Sequence, residues 1–178
     1  MDHLVEAASA QDTDALLALE RSVFVVSDGK LSRRAFTYHT RTTNLLLVTR
    51  PAPNSPEISG YILVFVRKYS ARIYSLATAQ AYRHQGVASA LLSACFNVLA
   101  SRGISHVTLE LRESNQQAKA LYASLGFTIG RIQPNYYGDG ETAICMRRAV
   151  LASSDATASS TSKLLLVDST ANHNDKCR

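Results

Sequence analysis

The sequence predicts an α/β fold, a mixed and twisted sheet of about six to seven strands flanked by about four helices. Two stretches carry that expectation. Arg72 to Leu92, RIYSLATAQAYRHQGVASALL, passes from a run rich in strand formers (Ile73, Tyr74, Leu76, Thr78), through a polar bend, into a helix beginning near Gln85 or Gly86. Ile104 to Leu111 then alternates, with Val107, Leu109 and Leu111 on one face and Thr108, Glu110 and Arg112 on the other.

The remaining elements follow in order. Val5 to Ala8 suits a first strand. Asp12 to Arg21 reads as a helix, with Asp12 available as its cap and Leu16, Leu17 and Leu19 as its apolar side. In LSRRAFTYHTR the residues Leu31, Ala35 and His39 recur at helical spacing, which predicts a second, amphipathic helix over Leu31 to Arg41. Asn44 to Thr49 and Ile58 to Arg67 are strands joined by the proline-rich PAPNSPE, an antiparallel hairpin with a loose tip. The helix from Gln85 to about Ser101 carries a continuous apolar face of Ala88, Leu91, Leu92, Cys95, Val98 and Leu99, and Gly103 stops it. Ser114-Asn115-Gln116-Gln117 matches a capping box, after which Ala118, Leu121, Tyr122 and Leu125 form the buried side of a short helix ended by Gly126. Phe127 to Gln133 and Glu141 to Arg147 are the last strands, around PNYYGDG. The domain ends near residue 148; from Ala149 the composition turns small and polar, and 149–178 reads as a flexible tail with one apolar stretch, Leu164 to Val167, able to dock.

Composition narrows the function classes. The chain has 178 residues, 46% of them apolar and 19% charged, enough for one globular core. No apolar run approaches a membrane span, and the acidic MDHLVEAASAQD does not look like a secretory signal, so a cytoplasmic protein is the expectation. Cys95, Cys145 and Cys177 form no CxxC pair, which argues against a disulfide framework and a thiolate metal site; the first two should be buried thiols, the third exposed. The net charge of +5 is dispersed, and its largest cluster, Arg33, Arg34 and Arg41, lacks the aromatic strand that stacks bases. Nucleic acid is therefore not expected as a partner.

The bend RHQGVA carries the first functional signal. A helix start leaves several N–H groups without intrahelical partners, and with the helix dipole these form an anion site. Gly86 and Ala88 permit close approach, and Arg83 adds a cation. The ligand inferred is a phosphate or pyrophosphate whose remainder runs back along the strand. The competing reading is a plain helix start with a solvated arginine.

Two motifs together resemble a known family. Strand, Arg83-x-x-Gly86-x-Ala88, strand LELR and then ESNQQAKALYASLGF is similar to the acyl-CoA-binding core of the GNAT N-acetyltransferases, and LELRESNQQAKALYASLGF with NYYGDGETAICM looks like the ribosomal-protein-alanine, RimI-like, branch. The resemblance implies the GNAT fold over residues 1–148, with the sheet splayed between strands four and five and acetyl-CoA as co-substrate in the splay. It places pantetheine against Leu76, Ala77 and Thr78, and pyrophosphate on Arg83, His84, Gln85, Gly86, Val87, Ala88 and Ser89. Asn115 would contact the cofactor, Glu110 would be the general base and Tyr122 the general acid near the thioester sulfur. That chemistry suits the residue types. A protonated amine cannot attack a thioester until a carboxylate takes its proton, and a phenol can protonate a thiolate of pKa near 8.5.

Without the resemblance, Glu110 reads as a surface carboxylate or a partner of Arg112, Tyr122 as a core aromatic, Asn115 as a cap and His84 as a loop residue. The chain also departs from the family: Ala79-Gln80 replaces a frequent Asp-Pro, Thr142 follows Glu141 where the ribosomal branch has aspartate, and FVVSDGKLSRRAF lacks that branch's Pro-Trp. The last segment helps form the acceptor groove in such enzymes, where Tyr136 and Tyr137 are candidates for binding the acceptor. The function implied is acetyl transfer to a primary amine, first a peptide or protein α-amine, with a small-molecule amine or lysine side chain as alternative. A non-catalytic acyl-CoA sensor is the alternative of another class. No metal is expected, and the protein should be a monomer or homodimer.

Overall fold

The computed structural model describes residues 3–24, 30–53 and 55–150. They form seven strands and four α-helices: β1 (Val5–Ala7), α1 (Thr13–Val23), α2 (Arg33–His39), β2 (Leu45–Thr49), β3 (Gly60–Val66), β4 (Ser70–Thr78), α3 (Val87–Ser101), β5 (His106–Arg112), α4 (Gln116–Ser124), β6 (Thr128–Gln133) and β7 (Ala143–Ala149). Single 3-10 turns precede α1 and α3. The expected tail, with Leu164 to Val167 and Cys177, lies outside the described residues.

The sheet order is β1-β2-β3-β4-β5-β7-β6. Every neighbouring pair is antiparallel except β4 and β5. Those two are parallel and pair only from Ser70↔His106 to Ile73↔Leu109; beyond Ile73 the edge of β4 is unpaired and the sheet opens. Parallel neighbours need a long crossover, and α3 supplies it. One core cluster lies beneath α3 and α4, with Ile62, Ile73, Leu91, Cys95, Leu109 and Tyr122 among its members. The other lies beneath α1 and α2, around Leu16, Phe36, Leu46, Tyr61 and Leu63. The alternation expected in β5 is present, Val107, Leu109 and Leu111 being buried. Cys95 and Cys145 are buried.

Four local expectations are corrected. Asp12 stands at the N-cap of α1 but its side chain makes no capping bond: Ser9 caps the preceding turn, and the Asp12 carboxylate accepts from Ser9 N at 2.7 Å and from Arg50 Nη2 at 2.6 Å. The second helix is shorter than Leu31–Arg41, because the Ser32 hydroxyl accepts from Ala35 N and fixes the start at Arg33. The third helix starts at Val87, its buried row running Val87, Leu91, Leu92, Cys95 and Leu99; Ala88 turns to a cleft. The capping box at Ser114 does not form: the cap of α4 is Asn115, as its simpler reading had it, with Oδ1 accepting from Ala118 N at 3.0 Å.

Glu20 is a polar residue in the core that hydrophobic spacing cannot find. It is 3% exposed, accepts from the Tyr61 hydroxyl and takes the Leu31 N–H at 2.8 Å. Buried carboxylates are tolerated when so satisfied. Each buried aliphatic of α3 contributes about 1.5–3 kcal/mol, and the helix comes close enough to do so because β3 presents Gly60 beneath it. A Cβ there would stand 2.6 Å from Val87 Cγ1 and 2.9 Å from the Ala77 carbonyl. Gly60→Ala is therefore expected to cost about 1–3 kcal/mol through overpacking, measured by urea unfolding. An unchanged midpoint would mean that α3 gives way freely.

Candidate active site

A cleft of about 340 Å³ opens where β4 leaves β5. Its walls are the end of β4 (Leu76, Thr78), the bend and first turn of α3 (Arg83, His84, Gly86, Val87, Ala88, Ser89), and α4 with its cap (Asn115, Gln117, Ala118, Leu121, Tyr122). Two sequence motifs about thirty residues apart thus line one cavity.

Backbone geometry explains why these residues meet. His84 and Gly86 both adopt left-handed conformations, φ 60° and 85°. Such values are strained for histidine and easy for glycine. Gly86 is the N-cap of α3 and no side chain caps the helix, the first intrahelical bond being Ala90 N to Gly86 O. The amides of Val87, Ala88 and Ser89 therefore point out of the helix start with no intrahelical acceptor, beside Arg83. This is a cradle for an anion.

On β4 the alternation is set by Ala79, whose N–H donates to Ser59 O at 2.9 Å. Ala77 and Ala79 thus spend their amides on the β3 side, while Leu76 and Thr78 turn theirs to the open edge. Ala77 is a correction to the expected contact set: it is 2% exposed, belongs to the core beneath α1 and α2, and does not line the cleft. The Gln85 side chain and carbonyl turn elsewhere, the side chain donating back to Ala81 O at 2.8 Å and the carbonyl accepting from His3 Nε2 at 2.6 Å. Tyr82, Gln117, Ala118 and Leu121 line the cleft without having been singled out. Helical spacing from Tyr122 gave the last two a core role, which they share with the cleft.

Tyr122 is 7% exposed and packs edge-to-face on Phe127 at 5.4 Å. Burial, with Cys95 nearby, pushes its phenol well above the usual tyrosine range and keeps it protonated. Glu110 does not line this cleft. It is the first residue of β5 beyond the last β4 pair, on the sheet face opposite Leu109 and Leu111. Its partner is Arg72, not the expected Arg112: Arg72 Nε donates to Glu110 Oε2 at 2.7 Å, with the Glu110 side chain 5% exposed. Arg72 Nη2 also donates to the Tyr136 hydroxyl at 3.2 Å, while Glu110 Oε1 is buried and makes no hydrogen bond among the described residues. Arg112 instead joins the loop, donating to Asp139 at 2.8 Å and Glu141 at 2.6 Å with its guanidinium over Tyr137. Tyr136 and Tyr137 are thus anchored on the Glu110 face, and burial raises the Tyr137 phenol to about 12. Glu110 and Tyr122 sit on the two faces of the sheet, with the parting between β4 and β5 as the way through.

A sheet parted between its two parallel strands, with an uncapped helix start at the mouth of the gap, is the fold of an acyl-CoA N-acyltransferase. The chain belongs to the acetyltransferase (GNAT) family, whose profile matches residues 13–127. It is 44% identical over 80 residues to a [ribosomal protein bS18]-alanine N-acetyltransferase of Haemophilus ducreyi; that match takes in 43% of this chain and 55% of the relative's own length. It is 30% identical over 141 residues to the N-terminal acetyltransferase A complex catalytic subunit NAA10 of Arabidopsis thaliana, 76% of this chain and 73% of that protein. The crystal structure of the ribosomal-protein-S18-alanine N-acetyltransferase from Escherichia coli superposes with a TM-score of 0.75 at 26% identity, covering 88% of this chain and 99% of that one. Among the described residues no helix is long and apolar enough to cross a membrane.

The loop clamp has a pH signature. The Ser114 hydroxyl and N–H, with Arg112, hold the Glu141 carboxyl down to about 2, below the ordinary 4.5. A depressed folded value means that the carboxylate's support for the loop is complete above the ordinary value, declines progressively below it and is gone once pH has fallen through the folded one. An NMR titration of the Glu141 carboxyl is expected to have its midpoint near 2 in the wild type and to move up in Arg112→Gln; an ordinary wild-type midpoint would show the clamp to be absent.

Proposed function

We propose that the protein is an acetyl-CoA-dependent N-acetyltransferase whose acceptor is the α-amine of a peptide or protein N-terminus. The observation that carries this reading is the gap with an anion cradle and a protonated phenol on one side and a buried carboxylate on the other. The relatives named for bS18 alanine and for N-terminal acetylation favour a protein acceptor over a small amine.

In this reading the outward amides of Val87, Ala88 and Ser89, with Arg83, hold the pyrophosphate. The free edge of β4 at Leu76 and Thr78 pairs with the pantetheine amides. Asn115 uses Oδ1 on its helix and keeps Nδ2 for the cofactor. Glu110 takes a proton from the acceptor ammonium, the freed amine attacks the thioester carbonyl, and a β4 amide facing the gap steadies the oxyanion. As the N–C bond forms and the C–S bond breaks, Tyr122 hands its proton to the departing thiolate; the second proton of the attacking nitrogen returns through water to the phenolate, and Glu110 releases its own to solvent. Holding amine and thioester together supplies much of the acceleration.

Thiol release from acetyl-CoA, measured against peptides with free or blocked N-termini, lysine peptides and polyamines, tests the reading. Release is expected only with free N-termini, and release only with polyamines would shift the acceptor class. Glu110→Gln is expected to lower turnover by about 10²–10⁴-fold with acetyl-CoA affinity unchanged by calorimetry. Full turnover in that variant would remove Glu110 from the mechanism.

A further inference from the structure

The Glu110 carboxylate is held unsymmetrically, and its two oxygens have different fates. Oε2 accepts from Arg72 Nε at 2.7 Å, whereas Oε1 is buried without a hydrogen-bond partner among the described residues. A buried carboxylate oxygen without a donor is costly, so an arrangement that leaves it so needs a reason. The guanidinium is itself fixed at more than one point. Its Nη2 donates to the Tyr136 hydroxyl at 3.2 Å, and its carbon lies 5.8 Å from the centre of the Tyr74 ring, which stacks on Phe65 at 4.6 Å.

Arg72 stands on β4, paired with Thr108, and Glu110 is two residues further along β5, at the point where the strands part. The ion pair therefore spans the root of the gap. A plain fastening of two strands would be served as well by a carboxylate bonded through both oxygens, since guanidinium offers a fork that fits both. Here Nε takes one oxygen and the fork's other arm goes to Tyr136, which leaves Oε1 to a ligand.

We infer that Arg72 is a positioning residue: it holds Oε2 so that Glu110 presents Oε1 to the acceptor nitrogen, and through Tyr136 it ties the 134–142 loop to the same point. The inference rests on the reading of Glu110 as the base. The proton moves from the acceptor ammonium to Oε1, and Arg72 neither gains nor loses one. Its positive charge also disfavours a second cation beside it, which favours release of that proton.

The test is a double-mutant cycle on the full chain, using acetyl-CoA and a peptide acceptor, with thermal unfolding and acetyl-CoA affinity measured alongside. Arg72→Gln is expected to lower kcat by about 10²-fold, the effect of misplacing a catalytic group by an ångström, with acetyl-CoA affinity retained. Arg72→Lys, which keeps the charge but cannot bridge Glu110 and Tyr136, should recover part of the loss. In a Glu110→Gln background neither substitution should reduce the residual rate further, because an arginine that acts through the carboxylate has nothing left to position. Wild-type turnover in Arg72→Gln, or losses that add in the double variant, would overturn the inference while leaving the acetyltransferase reading intact. Should Arg72→Gln fail to fold, the cycle is run with Arg72→Lys alone and decided by the same additivity. Wild-type turnover in Glu110→Gln would instead overturn the base assignment beneath it.

Discussion

The short parallel ladder between β4 and β5 is the constraint on which the rest of this molecule depends. Four residue pairs hold the strands together before they part. Parallel pairing requires a crossover, and its right-handed helix must begin near the carboxyl end of the first strand. The start of α3 and the unpaired edge of β4 therefore come together by topology, before any side chain is considered. Two kinds of open backbone group, helix amides and strand-edge groups, then face one cavity. Such groups need partners, and an extended ligand with a phosphate at one end satisfies both. Gly60 belongs to this constraint as well, because it lets Val87 at the helix start rest on the sheet.

The two faces of the parting differ in their electrostatics. On the α3 side the polar elements are backbone amides and Arg83 around apolar walls from Leu76, Val87 and Leu121. On the other side Glu110 lies among arginines and tyrosines, with Arg72 and Arg112 each engaged with carboxylates and with the 134–142 loop. Arg50, Arg72 and Arg112 are committed to ion pairs within the fold, and a side chain so engaged offers little to a phosphate backbone.

Much of this was legible in the sequence, and the reason differs between elements. The pattern of β5 needed only its own alternation, since a strand with one buried face writes that face in every second residue. The cavity was legible because glycine and small residues at a helix start are local signals. The Arg72–Glu110 pair was not, as its members are 38 residues apart. Alternation places Glu110 and Arg112 on one face, which made Arg112 the natural partner, but it cannot say which strand lies alongside. Ala77 and the Gln85 carbonyl turn away from the cleft for a related reason. A motif names consecutive residues, whereas a strand turns alternate amides to opposite edges and a left-handed bend turns one carbonyl away. The cap at Asn115 rather than Ser114 is the same kind of one-residue ambiguity, decided by which side chain reaches Ala118 N.

The buried carboxylate at Glu20 connects the two halves of the candidate site. Tyr61 on β3 donates its hydroxyl hydrogen to Glu20 on α1 and shares a bond of 2.7 Å with the Ser75 hydroxyl on β4, while Glu20 Oε1 takes the Leu31 N–H just before α2. Burial, reinforced by the neighbouring carboxylate, drives the Tyr61 phenol far above its usual range and keeps it a donor. Ser75 lies beside the register shift of β4, where Tyr74 is left without a partner opposite the Leu63 to Val64 step. The next residue is Leu76, the first whose amide faces the gap. One polar cluster thus fixes β4 immediately before its open edge and, from the same carboxylate, fixes α1 and the approach to α2 over the opposite sheet face. A low-dielectric setting makes such a cluster costly to leave half-satisfied, so the strand and the two helices are held in a single relative position. The strand beside the parting is thus pinned from behind.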